Sequence, residues 1–136
     1  MKNKLFISTV LLSFILFVAC KKDSSTSGYP VAGLYEGTYT YLAQPPLYFS
    51  FTIYADGTMS YKSRGSNNYI FYAIGTWNLN GNAFSYTVQT TNTPNVATQP
   101  VQTGTATYSN SGTLTNGVNT DMSTGLSGTF SLKRVN

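Results

Sequence analysis

Side chains that carry enzymatic chemistry are scarce in this chain of 136 residues. It has no histidine and one cysteine, Cys20, so a histidine-based triad and a His-ligated zinc ion are both excluded. The predicted folded part keeps three acids, Glu36, Asp56 and Asp121, whose spacing does not set two carboxylates at the separation needed for glycoside hydrolysis. The segment from Asn119 to Asp121 offers too few oxygen ligands for a calcium loop. We therefore predict no enzymatic activity, no cofactor and no metal site.

Aromatic residues are the remaining candidates for recognition, since they make up 15% of the chain and include eleven tyrosines. Tyrosine joins a large apolar ring to a hydroxyl group, a combination that is enriched at binding surfaces. Tyr48, Tyr54, Tyr72 and Trp77 are the candidate contacts for a small apolar molecule, a glycan or a partner protein. In the alternative interpretation, the tyrosines cover one face of a sheet because aromatic residues have high β-propensity.

The element that must position Trp77 is a long hairpin from Tyr69 to Val88. Its turn is Asn80-Gly81-Asn82, where glycine supplies the positive φ angle that a tight hairpin turn needs. On the first arm Trp77 alternates in phase with Gly75 and Leu79. We therefore expect Trp77 to face inward as a core residue.

The same alternation predicts six further strands, which are bounded by turns rich in glycine, proline and asparagine. They cover residues 33–42, 47–54, 58–63, 101–108, 113–118 and 126–132, the last with Leu126 at the start of its inner face. Residues 55–57 form a hairpin turn, and a loop from Thr90 to Pro100 follows the long hairpin. Eight strands in up-and-down order indicate an all-β antiparallel barrel, with an open β-sandwich as the alternative.

Glycine–threonine pairs favour the barrel, because inward glycine marks sharp bends or close backbone approaches. They recur at Gly37-Thr38, Gly75-Thr76, Gly104-Thr105, Gly112-Thr113 and Gly128-Thr129. In a barrel the predicted interior residues are Tyr35, Tyr39, Phe49, Phe51, Phe71, Trp77, Phe84 and Phe130. A barrel of this size is either filled by side chains or holds one small ligand, and so many large rings favour a filled interior.

The start of the chain has the pattern of an export signal. Met1 to Lys4 is basic, and Leu5 to Ala19 is apolar but shorter than the ~20 residues that a spanning helix needs. The end of this segment, Phe17-Val18-Ala19-Cys20, resembles the lipobox of bacterial lipoproteins, although Phe17 replaces the usual leucine. The resemblance implies a type II signal peptide at residues 1–19 and lipidation of Cys20, which becomes the first residue of the mature chain.

Lys21 follows the cysteine, whereas in such lipoproteins an aspartate at this position commonly retains the protein at the inner membrane. The resemblance therefore implies a palmitate-bearing anchor in the outer membrane of a Gram-negative cell envelope. In the alternative interpretation, Cys20 is a free thiol beside a secretory signal or a short anchor. Residues 20–31 are predicted to be the lipidated cysteine and a serine-rich flexible tether, and residues 32–136 the barrel domain.

Net charge argues against a nucleic-acid partner. The formal charge is +4, and removing Lys2 and Lys4 with the signal leaves 4 − 2 = +2. Phosphate binding needs clustered lysine and arginine on the folded surface. We expect a monomer that is held at the membrane by its lipid anchor.

The folded part resembles the lipocalin-like lipoproteins of bacterial envelopes. The shared motifs are Gly37-Thr38-Tyr39 on the first strand, the Asp56-Gly57 hairpin, Gly75-Thr76-Trp77 before an Asn-Gly turn, and Gly128-Thr129-Phe130 on the closing strand. In lipocalins the tryptophan lies on the first strand, where this chain has Tyr39. A basic residue of the closing strand covers that tryptophan, which implies that Lys133 or Arg134 covers Tyr39 or Trp77.

The sequence leaves two functions open. One is an outer-membrane-anchored, non-catalytic interaction module whose solid barrel meets an envelope protein or a glycan. The alternative is a lipocalin-like carrier of a small apolar ligand in the barrel interior. A cavity of several hundred Å³ would favour the carrier, whereas a filled interior with an exposed apolar patch would favour the interaction module.

Overall fold

A computed structural model describes residues 30–92 and 100–135. The predicted signal peptide, Cys20 and the tether up to residue 29 lie outside the described residues, as does most of the predicted loop from Thr90 to Pro100. The strands are β1 (Gly33–Tyr41), β2 (Leu47–Ile53), β3 (Thr58–Arg64), β4 (Ile70–Asn80), β5 (Ala83–Thr90), β6 (Val101–Ser109), β7 (Thr113–Asp121) and β8 (Ser127–Arg134). No helix in the described ranges has the length and apolar character needed to cross a membrane.

Each strand pairs antiparallel with the next, and β8 pairs with β1, so the sheet closes into a barrel. This confirms the predicted up-and-down barrel and makes the open sandwich wrong. The turn after β4 has Gly81 at a φ of 59°, as the Asn-Gly pattern predicts. Closure gives every strand a neighbour on both sides, which removes the exposed edges that an open sheet would present.

Most strand boundaries lie within two residues of the prediction, and the differences that matter for the interior are at the end of β7 and the start of β8. β7 continues to Asp121, beyond the predicted end at Val118. β8 begins at Ser127, so Leu126 precedes it and is 44% exposed. The prediction that the last strand starts at Leu126 is therefore wrong, although Leu126 does line the cavity at this end of the barrel. The chain makes a turn there, with Gly125 at a φ of 71°, and that turn places Leu126 outside the strand.

The pattern of β7 is broken by a bulge. Thr115 and Asn116 both lie between the inward-facing Leu114 and Gly117, and the register with β8 shifts at this point. Asn116 adopts a φ of 52°, a conformation that asparagine accepts more readily than most residues. The extra residue reverses the alternation of the second half of the strand. Because the alternation changes phase within the strand, the sequence pattern predicts a shorter strand than the structure has.

Glycine lets an aromatic ring lie directly on the strand backbone at Gly104. A Cβ atom there would lie 2.3 Å from the ring of Tyr86, so no larger residue fits without displacing that ring. The predicted close approach at this glycine is confirmed. Gly112 differs, because it belongs to the turn before β7 with a φ of 77° rather than to a strand interior.

Aromatic rings fill the centre of the barrel. Six of the eight predicted interior residues are buried: Tyr35, Phe49, Phe51, Trp77, Phe84 and Phe130. The ring of Phe51 packs edge-on against Phe49 at 4.9 Å and Tyr86 at 5.1 Å between centroids, within the range of favourable aromatic pairs. Tyr39 and Phe71 are only half-buried, and both lie towards the same end of the barrel.

The other end of the barrel is closed by the segment ahead of β1. Val31, predicted to be the last residue of the tether, is fully buried in the core. The Pro30 carbonyl accepts hydrogen bonds from the Tyr108 hydroxyl at 2.7 Å and from Arg134 Nη2. Arg134 also donates to the Tyr35 hydroxyl at 2.9 Å, and its guanidinium lies 5.3 Å from the centre of that ring. We call this region the closed end.

The basic residue of the closing strand therefore covers Tyr35, and the expectation that Tyr39 or Trp77 is covered is wrong. The reason is the register of the barrel closure, in which Arg134 lies directly opposite Tyr35 on β1. Tyr39 lies opposite Phe130 on the same pair of strands, beyond the reach of the guanidinium.

Candidate functional site

The end of the barrel opposite the closed end forms a solvent-accessible cup with a volume of about 490 Å³. It lies where odd-numbered strands end and even-numbered strands begin. We call it the open-end cup. Its lining includes Tyr39, Tyr41, Leu47, Phe49, Tyr61, Ser63, Arg64, Phe71, Thr90, Gln102, Asn119 and Asp121.

The base of the cup is a hydrogen-bonded group that we call the polar floor, formed by Tyr61, Gln102 and Asn119. The Oε1 atom of Gln102 accepts hydrogen bonds from the Tyr61 hydroxyl and, at 2.9 Å, from Asn119 Nδ2. Below the floor, the buried Tyr86 hydroxyl donates to Asn119 Oδ1 at 2.7 Å. The amide side chains are thus held in place by partners on three strands. Such satisfied networks fix side-chain orientation inside a low-dielectric interior.

The register of β6 and β7 explains how the floor forms. Gln102 lies opposite Asp121, and Gly104 lies opposite Asn119. Because Gly104 has no side chain, the ring of Tyr86 lies across it and its hydroxyl reaches Asn119. A glycine in β6 therefore determines which tyrosine supports the floor.

Two polar groups at the cup keep unused hydrogen-bonding capacity. The Thr90 hydroxyl is buried, with the residue 2% exposed, and has no hydrogen-bond partner. It lies beside the Tyr61 phenol and lowers the pKa of that group, against the larger, raising effect of burial, but no hydrogen bond of good geometry joins the two. Among the described residues, the Nε2 donor of Gln102 has no acceptor either. A buried polar group without a partner is costly, so the Thr90 hydroxyl marks a place where a ligand would be stabilised.

The phenols around the floor are uncharged at neutral pH. Burial raises the pKa of Tyr39 to about 12, and it also raises the pKa of Tyr61 and of Tyr86. The physical cause is the loss of hydration that a phenolate would suffer. These three groups therefore act as neutral hydrogen-bond donors and as apolar ring surface.

Aromatic side chains form much of the wall above the floor. The rings of Tyr39 and Phe49 lie 5.4 Å apart, and those of Tyr39 and Tyr41 are stacked at 6.3 Å. Phe71 contributes a half-buried ring from β4. The half-buried rings of Tyr39 and Phe71 thus give the cup an apolar wall.

The described lining of the cup includes one cation, Arg64, and one acid, Asp121. Arg64 is exposed at the end of β3. Asp121 ends β7, where its Oδ1 atom accepts hydrogen bonds from the Ser123 nitrogen at 2.8 Å and from the Ser123 hydroxyl at 2.6 Å. The Oδ2 atom of Asp121 has no hydrogen-bond partner within the described ranges. The carboxylate thus shapes the turn and retains one free acceptor.

The residues predicted to contact a partner do not form one site. Tyr48, Tyr54 and Tyr72 lie on or beside the outward-facing positions of β2 and β4, and Tyr54 and Tyr72 are 49% and 47% exposed. The Tyr48 hydroxyl donates to Glu36 Oε1 at 2.9 Å. Trp77 faces inward, is 9% exposed and donates from Nε1 to the Tyr54 carbonyl at 2.9 Å. None of the four lines the open-end cup.

The sequence-based reasoning missed the residues of the polar floor. Gln102 shares the inward phase of Gly104 and Ala106 on β6, so strict alternation would have indicated a polar side chain inside the barrel. Asn119 gave no such signal, because the bulge in β7 reverses the phase before it.

The carboxylates lie apart in the barrel. Glu36 is exposed on the outer face of β1, whereas Asp121 lines the cup. Asp56 accepts hydrogen bonds from the Thr58 backbone and hydroxyl in the β2–β3 turn, and these bonds lower the pKa of its carboxyl. Within the described ranges no three histidine, cysteine or acidic residues lie close enough to hold a metal ion.

Comparison with protein-family models, with curated proteins and with solved structures gave no match to this chain. The resemblance to lipocalin-like envelope lipoproteins therefore stays a prediction from the sequence motifs. The barrel itself is established by the strand pairing.

Proposed function

We propose that this protein is an outer-membrane-anchored lipoprotein that acts as a non-catalytic binding module, and that the open-end cup is its binding site. The observation that carries the proposal is a cup of about 490 Å³ at one end of a barrel whose centre is filled by aromatic rings. This volume lies within the ~300–1,000 Å³ range typical of small-molecule pockets. A few polar groups at its base and aromatic walls are also typical of such pockets.

The position of the cup relative to the chain start supports a role at a membrane surface. Pro30 and Val31 lie at the closed end, so a tether from a lipidated Cys20 would join the barrel on that side. The cup opens at the other end, where it would face away from the lipid surface. A ligand could then enter from the aqueous phase without displacing the anchor.

The support for the anchor itself comes from the sequence. A basic start, an apolar segment and a single cysteine at its end coincide, and serine-rich residues follow, as expected for a tether. The non-catalytic role is supported by the lack of histidine in the sequence and by the separation of Glu36 from Asp121 on opposite faces of the sheet.

The polar floor limits the kinds of ligand that the barrel could carry. A wholly apolar ligand would press hydrocarbon against the amides of Gln102 and Asn119 and would leave the Thr90 hydroxyl without a partner. The ligand that fits the cup must therefore carry polar groups on the part that is inserted deepest.

A thermal-shift screen with a matched pair of variants tests the function. Ser63 faces the cup, whereas Ser60 on the same strand faces outward, so Ser63→Trp fills the cup and Ser60→Trp does not. A compound present at 100 times its Kd stabilises the folded state by ~2.7 kcal/mol. We expect hits that raise the melting temperature of the wild type and of Ser60→Trp but not of Ser63→Trp. Hits that stabilise both variants equally, or the lack of any hit, would contradict a binding role for the cup.

A further inference from the structure

We infer that the ligand of the open-end cup is a saccharide of one or two sugar units that carries no acidic group. The inference rests on the proposed function and adds the chemical class of the ligand. Three features of the cup support it: the lack of charge on the polar floor, the free hydrogen-bonding groups and the aromatic wall.

The polar floor has no charged group to pair with an ionic ligand. Its side chains are the phenol of Tyr61 and the amides of Gln102 and Asn119. The nearest cation of the cup is Arg64, which is exposed at the rim. A carboxylate or phosphate pushed to the floor would lose its hydration without gaining a counter-ion, which is costly. The deeply inserted part of the ligand therefore carries no acidic group.

The free hydrogen-bonding groups match hydroxyl groups. Gln102 Nε2 can only donate, Asp121 Oδ2 can only accept, and the Thr90 hydroxyl can do both. An alkyl chain satisfies none of them. A sugar hydroxyl both donates and accepts, so neighbouring hydroxyls on one ring can serve all three kinds of partner.

The wall and the size of the cup match a sugar ring. The half-buried rings of Tyr39 and Phe71 line the cup, and aromatic rings offer apolar surface to the C–H face of a pyranose. The volume of about 490 Å³ is in the lower half of the range for small-molecule pockets. It suits one or two sugar units rather than a long chain buried throughout.

Saturation-transfer difference NMR on the full lipidated protein in nanodiscs tests the inference, with empty nanodiscs as the background. The probes are maltose, cellobiose and diacetylchitobiose as neutral disaccharides, hexanoate as a short carboxylate, and benzamide as a neutral aromatic amide. The variants are Gln102→Leu in the cup and, as the matched control, Gln89→Leu on the exposed outer face of β5. Thr90→Val removes only the free hydroxyl and serves if Gln102→Leu disturbs the fold.

We expect at least one disaccharide to give signals on its ring protons, with about fivefold or greater loss of affinity in Gln102→Leu, a smaller loss in Thr90→Val and no change in Gln89→Leu. If hexanoate or benzamide binds in a Gln102-dependent manner while no disaccharide does, the saccharide inference is overturned and the binding function of the cup stands. A disaccharide signal that neither cup variant weakens would place the sugar elsewhere and also overturn the inference. If no probe binds, the inference fails, and the function then depends on the separate thermal-shift screen.

Discussion

The two ends of the barrel are formed by the same strands but differ in how deeply their side chains are buried. At the closed end Val31 and Tyr35 are fully buried, and Arg134 covers them while bonding to the Pro30 carbonyl. At the open end Tyr39 and Phe71 are half-buried around a floor of amides and hydroxyls. Each end keeps one buried polar atom without a hydrogen-bond partner, Arg134 Nε at the closed end and the Thr90 hydroxyl at the open end, but the closed end is covered by chain and a guanidinium, whereas the open end forms a solvent-accessible cup. The comparison indicates that the closed end stabilises the fold and that the open end is available for binding.

The largest expected effect concerns the lipid anchor that would join the membrane to the closed end of the barrel. Lipidation requires the Cys20 thiol, so Cys20→Ala should abolish incorporation of labelled palmitate and release the protein from the membrane fraction. Metabolic labelling and fractionation measure both outcomes. A variant that is still labelled and still fractionates with the outer membrane would contradict the anchor.

Substitution of Trp77 tests how much the filled centre of the barrel contributes to the free energy of unfolding. The Trp77 ring packs against Phe84 at 6.2 Å between centroids, and truncating a buried tryptophan costs ~3–5 kcal/mol, which we expect for Trp77→Ala. In a domain of ~5–15 kcal/mol this should lower the melting temperature strongly or prevent folding.

The matched control for Trp77→Ala is Tyr72→Ala, at an exposed outward position of β4, where we expect a change within ~0.5 kcal/mol. Denaturant unfolding measures both variants. We also expect blue-shifted emission from Trp77 that does not respond to ligands of the cup. Red-shifted, ligand-sensitive emission with little loss of stability would make Trp77 a contact residue instead of a core residue.

Substitution of Arg134 tests how much its guanidinium stabilises the closed end. Arg134→Ala removes the hydrogen bonds to Pro30 and Tyr35, and bonds from a charged donor are worth ~1.5–3 kcal/mol. We expect a loss of that size in the free energy of unfolding. Lys133→Ala, at the neighbouring outward and exposed position, is the matched control and should change little. Equal effects of the two substitutions would show that the seal does not depend on the guanidinium.

The smallest effect is expected at the open end. Thr90→Val removes a buried hydroxyl that has no hydrogen-bond partner, so stability should be unchanged or rise by up to ~1 kcal/mol. Thr87→Val, at an exposed position of the same strand, is the control. Thermal unfolding of the ligand-free protein measures both. A loss of more than ~1 kcal/mol in Thr90→Val would indicate that the hydroxyl is part of the structural network, which would remove the contrast between the two ends.

The sequence by itself determined the local features of this protein. Period-two alternation located the eight strands and the inward face of most of them, because the pleat sends neighbouring side chains to opposite faces. The Asn-Gly turn at Gly81 and the inward position of Trp77 followed from the same local rules. These features depend on residues close together in the chain, so they could be predicted without knowing what lies across the barrel.

The tertiary structure alone decided which residues meet. Closure of β8 on β1 set Arg134 opposite Tyr35, and the bulge at Asn116 turned Asn119 inward to reach Gln102. Alternation states which face a side chain takes, but it does not state the register between strands or the side chain that it will meet across the interior. The open-end cup depends on both, since Thr90, Gln102 and Asn119 come from three strands and become one site only when the barrel closes.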